Sequence, residues 1–348
     1  MKTPTRNISI DILKFFAVLL ITNSHFDEEY VYFKELATGG AIGDALFFFC
    51  SGYTLFLGRF GRFDTWYKRR IRRIYPSVIA LGLIALFFYK SDMRLSEIPT
   101  NGAGWFISCI MIYYVLLYFV RKYTVHNLKT VYFSVSIIVF IWYCLFFEPF
   151  HSWIGNNYKS LSWLTFCHPM DKIWIYQWNY FKWCFFFLFM LMGADLGLKE
   201  ATSHKVKNKN FTFILFKLIL SCFAFYTIPI ASLIFPFLQK ILLLSLIPLG
   251  YICLYFYQLC QTKFMINIYN NHISGWIIKA IGGLCLEIYL VQPYVRTTAL
   301  NFLFPFNLII LFVAIVVIAY MCRIIGRWFQ QTFSSEDGYN WKDILKIP

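Results

Sequence analysis

Apolar runs alternate with short polar stretches from Ile8 to Tyr320, and most runs are long enough to cross the roughly 30 Å hydrocarbon core of a bilayer as a helix. In hydrocarbon an irregular chain leaves its backbone amides unpaired, and Phe-rich runs of this length fit helices better than barrel strands. The pattern predicts an all-α, polytopic membrane helix bundle of about ten transmembrane helices. They fall at roughly 8–26, 41–57, 74–89, 104–120, 131–147, 181–198, 211–229, 233–257, 276–295 and 302–320. Pro229, Pro236 and Pro248 should bend or break the seventh and eighth, because proline lacks the amide that a helix interior uses. The first run follows a basic start, as in a signal sequence, but lacks a small-residue cleavage site and precedes many further spans. It reads as a retained helix. Residues 1–330 then form a single transmembrane domain and 331–348 a short cytoplasmic tail.

The cations orient this bundle. With both termini cytoplasmic, 21 of the 32 Lys and Arg fall in inward segments and six in outward ones, the bias expected of cytoplasmic loops. An odd number of spans would spoil it. Composition agrees with an integral membrane protein, here expected in a bacterial inner or cytoplasmic membrane: the chain is 59% hydrophobic and 22% aromatic, and its 14% of charged residues is about half the soluble share. The formal charge of +15 sits in short segments between apolar runs, which argues against a nucleic-acid partner and for membrane lipid. The ten cysteines lie mostly inside the runs and show no CxxC, so neither a disulfide scaffold nor a metal site is indicated. The segment from Glu148 to Tyr180 should face outward. Its Trp and Tyr residues suit a membrane interface or stacking against sugar rings.

Three polar features exceed what a span requires. In "LLITNSHFDEEY" the first helix ends at His25; a neutral imidazole there could take a proton from a hydroxyl, with Asp27 or Asp44 orienting the ring. Asp27, Glu28 and Glu29 read most simply as the solvated continuation of that helix. In "WYKRRIRRIYP" five cations cluster before the third span, and the spacing of Arg69, Arg72 and Arg73 lets them share one helical face. They could be a topogenic signal, a site for a phosphorylated ligand, or a contact with anionic lipid. In "GGLCLEIYLVQPYV" Glu287 stands within an apolar helix beside Tyr289 and Gln292, where an ionisable group faces a cavity or a polar partner. Lys14 reads as structural, with Asp11 as its partner.

Taken in order, these segments resemble the membrane acyltransferase family 3. "SIDILKFFAVLLITNSH" resembles its first helix, with Asp11, Lys14 and His25 in place; "GDALFFFCSGYTLF" is similar to its glycine, aromatic and Ser-Gly signature through Gly43, Phe47, Phe48, Ser51 and Gly52. "KRRIRRIYP", "GWFI" and "LEIYLVQP" are similar to its basic, Trp-Phe and late-helix elements, although Gln292 stands where that last signature often carries histidine. The resemblance implies about ten helices and transfer of an acyl group, acetyl from acetyl-CoA or another acyl from its acyl-CoA, to a hydroxyl of a surface polysaccharide or lipid-linked glycan. It implies His25 as general base, Asp44 or Glu287 as its orienting partner, and Arg69, Arg72 and Arg73 at the donor's phosphates. Ser51 and Tyr53 would stabilise developing charge, with Tyr289 and Gln292 as further support. A helix rises about 1.5 Å per residue, so His25 lies roughly 25 Å along the axis from Ile8, and one ligand serving both ends must be extended, as a pantetheine arm is. A transporter or flippase for a lipid-linked glycan would share the multispan body, the buried Glu287 and the basic rim.

Overall fold

The computed structural model describes residues 7–88, 104–146, 181–202, 210–333 and 338–347. Among them the regular structure is helical, and no strand occurs. The helices are α1 (Ile8–Ser24), α2 (Gly40–Leu57), α3 (Phe63–Phe88), α4 (Gly104–Tyr123), α5 (Leu128–Phe146), α6 (Phe181–Thr202) and α7 (Phe211–Ile234). There follow α8 (Leu246–Cys260), α9 (Lys263–Asn270), α10 (His272–Gly283), α11 (Cys285–Val295), α12 (Phe306–Thr332) and the short α13 (Trp341–Ile344). The expected aromatic segment from Glu148 to Tyr180 lies outside the described residues.

Seven of these segments are long and apolar enough to cross a membrane, or eight if α10 and α11, bent by 74° at Leu284, count as one broken span. Two expected spans differ from these for simple reasons. Helix α1 has only 17 residues, and the first half of α3 carries Lys68, Arg69, Arg70, Arg72 and Arg73. The prolines act unequally. Pro229 is absorbed within α7, whereas Pro236 opens a ten-residue 3-10 stretch, Pro236–Ser245, that precedes α8. Pro248 occupies the first turn of α8, where a missing amide costs no intrahelical bond.

Burial along the helices has the polarity of a membrane protein. On α7, Phe213, Phe216, Leu220 and Phe223 recur at helical spacing and are each more than half exposed, while Ile214, Leu218 and Phe225 are buried. In water such a stripe would be an aggregation surface; against lipid it is the expected outer face. Helix α12 repeats the arrangement, with Phe306, Ile309, Val313, Val317 and Met321 outward and Leu311, Ile315, Ala319, Cys322 and Gly326 buried.

The chain divides into two compact units. The first comprises residues through Ser9, Asp44–Gly58 and Leu117–Ile266; the second comprises Ile10–Gly43, Arg59–Leu116 and Asn267–Pro348. In the first, α5 packs on α6, and α7 packs on α8 and on the 3-10 stretch. Helices α2 and α6 approach closely at two glycines. A Cβ on Gly52 would lie 1.8 Å from the Met190 carbonyl oxygen, and one on Gly193 would lie 2.0 Å from that of Phe49. Each glycine thus lies against the residue three places before the other, and the two backbones touch there. With little hydrophobic drive between helices in lipid, close backbone packing of this kind supplies the contact energy.

In the second unit α12 packs on α3 and α11, and α11 packs on α3. The residues after α12 fold back onto it. Arg327 donates to the carbonyls of Asp343 (3.1 Å), Ile344 (3.2 Å) and Lys346, the Tyr320 hydroxyl donates to that of Leu345 (2.6 Å), and Ile344 is fully buried.

Candidate functional site

In the first unit the polar side chains converge on Glu200 at the end of α6. Its carboxylate accepts from Tyr53 (2.9 Å), Tyr257 (2.5 Å) and Gln261 (2.8 Å), and the Asn7 amide donates to the Tyr53 (2.7 Å) and Tyr257 (3.1 Å) hydroxyls. Each phenol therefore both gives and accepts, so the network satisfies itself without a ligand. The hydroxyl proton of Tyr53, expected to meet developing charge, is committed to Glu200. Ser51 is half-buried on α2, two residues before it, and its carbonyl accepts from Thr54 (3.3 Å). Asp44, at the other end of the same helix, lies in the field of Lys182.

The second unit holds the other sequence-predicted groups at two places. At the first, Glu287 is 2% exposed and accepts from the Ser77 hydroxyl (2.7 Å), from Arg323 Nε (3.0 Å) and from Arg323 Nη2 (2.5 Å). Arg323 also donates to the Gly283 carbonyl (2.7 Å). The charges of Lys14, Arg73 and Arg323 all act on Cys285, two residues before that carboxylate. Lys14 of α1, Arg73 of α3 and Arg323 of α12 thus lie within electrostatic reach of the start of α11, and of these Arg323 pairs with Glu287. Beside them α3 presents Arg69, Arg72 and Arg73 to the exterior, while Arg70 lies 5.0 Å over the Trp66 ring. Tyr289 packs against Phe106 of the "GWFI" element, ring centres 5.0 Å apart.

The second place is the loop after α1. His25 is exposed, its amide donating to the Thr22 carbonyl (3.1 Å) in a continuation of the helix. Three side chains from the far end of the sequence hold this loop. Arg296, just after α11, donates to the His25 carbonyl and pairs with Asp27 (3.2 Å). Asn301 donates to the Glu28 carbonyl (3.0 Å), and Asn307, in the first turn of α12, to that of Glu29 (2.9 Å). The sequence reading did not single out Arg296, Asn301 or Asn307, although an asparagine inside the last apolar run is the same kind of signal that marked Glu287. Glu287 and Asp27 go to arginines.

The acidic run needs one correction. Asp27 and Glu28 are exposed as expected of a solvated continuation, but Glu29 is 1% exposed, because Asn307 draws its backbone in against α12. Burial pushes the Glu29 carboxyl above its ordinary value, against the opposing effects of a backbone hydrogen bond and Arg296. The folded protein then holds this proton more tightly than the unfolded chain does, and stability falls as pH rises from the ordinary value towards the raised one. Glu29→Gln should raise the unfolding temperature in detergent at about pH 8 and not at about pH 4. Equal shifts at both would show that its charge is not what is buried.

Among the described residues no three His, Cys, Asp or Glu side chains come together as a metal would require. A family model described as an acyltransferase domain matches residues 7–326. No curated protein and no solved structure matches the chain.

Proposed function

The chain belongs to the acyltransferase domain family, and on that premise we propose that it moves an acyl group, acetyl from acetyl-CoA, to a hydroxyl of a cell-surface polysaccharide or lipid-linked glycan. The membrane helix bundle and the family support membrane-bound acyl transfer. The proposal adds ten spans with both termini cytoplasmic in a bacterial inner membrane, which the distribution of Lys and Arg supports.

The observation that carries the donor side is the row of exposed cations Arg69, Arg72 and Arg73 on α3, of which Arg73 acts on the start of α11 together with Lys14 and Arg323. Such a cluster of cations on one helix favours a polyanion, and the phosphates of an acyl-CoA are one. The reaction balances without a further reagent. His25 takes the proton of the acceptor hydroxyl as its oxygen attacks the thioester carbonyl; the carbon–sulfur bond breaks, and the departing thiolate takes that proton from the imidazolium. Tyr289 and Gln292, in the same unit as His25, support this reaction. Glu287 acts through Arg323, which it neutralises and holds in place.

The test supplies protein in liposomes with labelled acetyl-CoA and candidate glycans. Wild type should transfer label, His25→Ala should lower the rate by about 100-fold or more at unchanged abundance, and Arg72→Ala should raise the acetyl-CoA concentration needed. Equal transfer by His25→Ala would sink the general-base role. Movement of acceptor without acetyl-CoA would mean a transporter instead.

A further inference from the structure

Five buried polar atoms at the end of the second unit where α1 stops make no hydrogen bond within the described residues: Thr22 Oγ1, Glu29 Oε2, Gln292 Oε1, Arg296 Nε and Asn307 Oδ1. Thr22, Glu29, Gln292 and Asn307 are each no more than 1% exposed. Buried polar atoms are seldom left over, and one such group is an accident of packing; five on segments that meet one another are a pattern. Those segments are joined by the contacts that hold the loop. Arg296 reaches the His25 carbonyl, Gln292 lies one helical turn before Arg296 and accepts its amide (3.3 Å), and Asn307 holds Glu29. The orientation of the Asn307 amide is settled by its partners. Its Nδ2 donates both to the Glu29 carbonyl and to Asn301 Oδ1 (3.2 Å), which leaves Oδ1 as an acceptor.

The inventory is lopsided. Three oxygens that accept and the Thr22 hydroxyl, which can do either, stand against one nitrogen that only donates, so the complementary ligand carries several O–H groups. A phosphate or carboxylate has the opposite character and would meet the Glu29 carboxylate. A metal cation would share the cluster with the Arg296 guanidinium. Resting on the acyl-transfer reading above, we propose that Thr22, Glu29, Gln292, Arg296 and Asn307 form the acceptor subsite beside His25, and that it takes a neutral, hydroxyl-bearing sugar rather than a phosphorylated one. The reading of His25 as base requires a hydroxyl at this end of α1. The five atoms say which kind of molecule presents it.

The proposal has a signature that a structural role lacks. An unpaired buried polar atom destabilises the protein that contains it, so removing it with an isosteric apolar side chain should stabilise the fold while weakening the ligand. Wild type, His25→Ala, Thr22→Val and Gln292→Met, in lipid nanodiscs, would be compared by saturation-transfer NMR with three neutral methyl glycosides and with glucose 6-phosphate. At least one neutral glycoside should bind wild type without acyl-CoA and should still bind His25→Ala, more weakly by the one hydrogen bond that the imidazole makes, and the phosphate should bind neither. Thr22→Val and Gln292→Met should each weaken that binding by about fivefold, the worth of one hydrogen bond, and each should raise the unfolding temperature. Binding of the phosphate as well, no glycoside binding, unweakened binding in both variants, or unfolding temperatures that fall would each overturn the subsite. Transfer measured separately on His25→Ala tests the base, so either idea can fail alone.

Discussion

Gly52→Ala should leave little folded protein in the membrane. The added Cβ would sit 1.8 Å from the Met190 carbonyl oxygen and 2.7 Å from its carbonyl carbon, and neither atom belongs to a side chain that could rotate away. Helices α2 and α6 must separate, and separation costs the contacts on both sides of the crossing, where Phe48, Phe49, Phe186 and Met190 are buried and the Phe48 and Phe186 rings lie 5.5 Å apart. Overpacking against backbone should cost about 3 kcal/mol or more. Gly193→Ala should do the same, since its Cβ would meet the Phe49 carbonyl. The control is Gly250→Ala on α8, where the nearest atom is the Met192 sulfur at 3.9 Å and the better helix propensity of alanine favours the variant. Size-exclusion profiles and unfolding temperatures in detergent decide it. If Gly52→Ala behaves like Gly250→Ala, the helices do not cross there.

The second large effect belongs to Glu287 and Arg323. Removing either leaves the other charged and buried, at a cost of about 3–5 kcal/mol. Removing both should cost less than either single change, because two apolar side chains leave no uncompensated charge. Glu287→Leu and Arg323→Met should therefore each lower the unfolding temperature sharply, and the double variant should recover much of the loss. Arg323 keeps 18% of its side-chain exposure against 2% for Glu287, so Glu287→Leu, which leaves Arg323 as the unpaired charge, should be the milder of the two singles. Additive losses would show that the two side chains contribute separately. Transfer activity need not follow the recovery, since the double variant also removes one cation that acts together with Arg73 on the start of α11.

How far the sequence reaches can be judged from these residues. The helical architecture was legible because the apolar runs are long and the exposed stripes on α7 and α12 follow a helical period. The break at Leu284 was not, since "GGLCLE" scores as part of one apolar run and only tertiary packing bends it. Gly52 was noticed as part of a signature, but its reason lay in a helix 138 positions away in the sequence. The basic run on α3 and the buried Glu287 were readable from the expense of charges in hydrocarbon. Their partners were not, because pairing depends on which helix faces which. Glu29 and Tyr53 show the limit most clearly. One acid in a run of three was buried by an asparagine near the other end of the chain, and a tyrosine suited to catalysis proved to be tied to Glu200.

The broken span has a further consequence. Where α10 ends and α11 begins, the negative end of one helix dipole and the positive end of the other lie on either side of Leu284. Arg323 sits on the first through the Gly283 carbonyl, and Glu287 lies in the first turn of the second. The ion pair therefore has a direction: each charge is stabilised by its partner and by the helix end it touches. Exchanging the two residues would restore opposite charges but set both against the dipoles, so the order in which acid and base occur along the chain is itself part of what lets the membrane span be interrupted at this point.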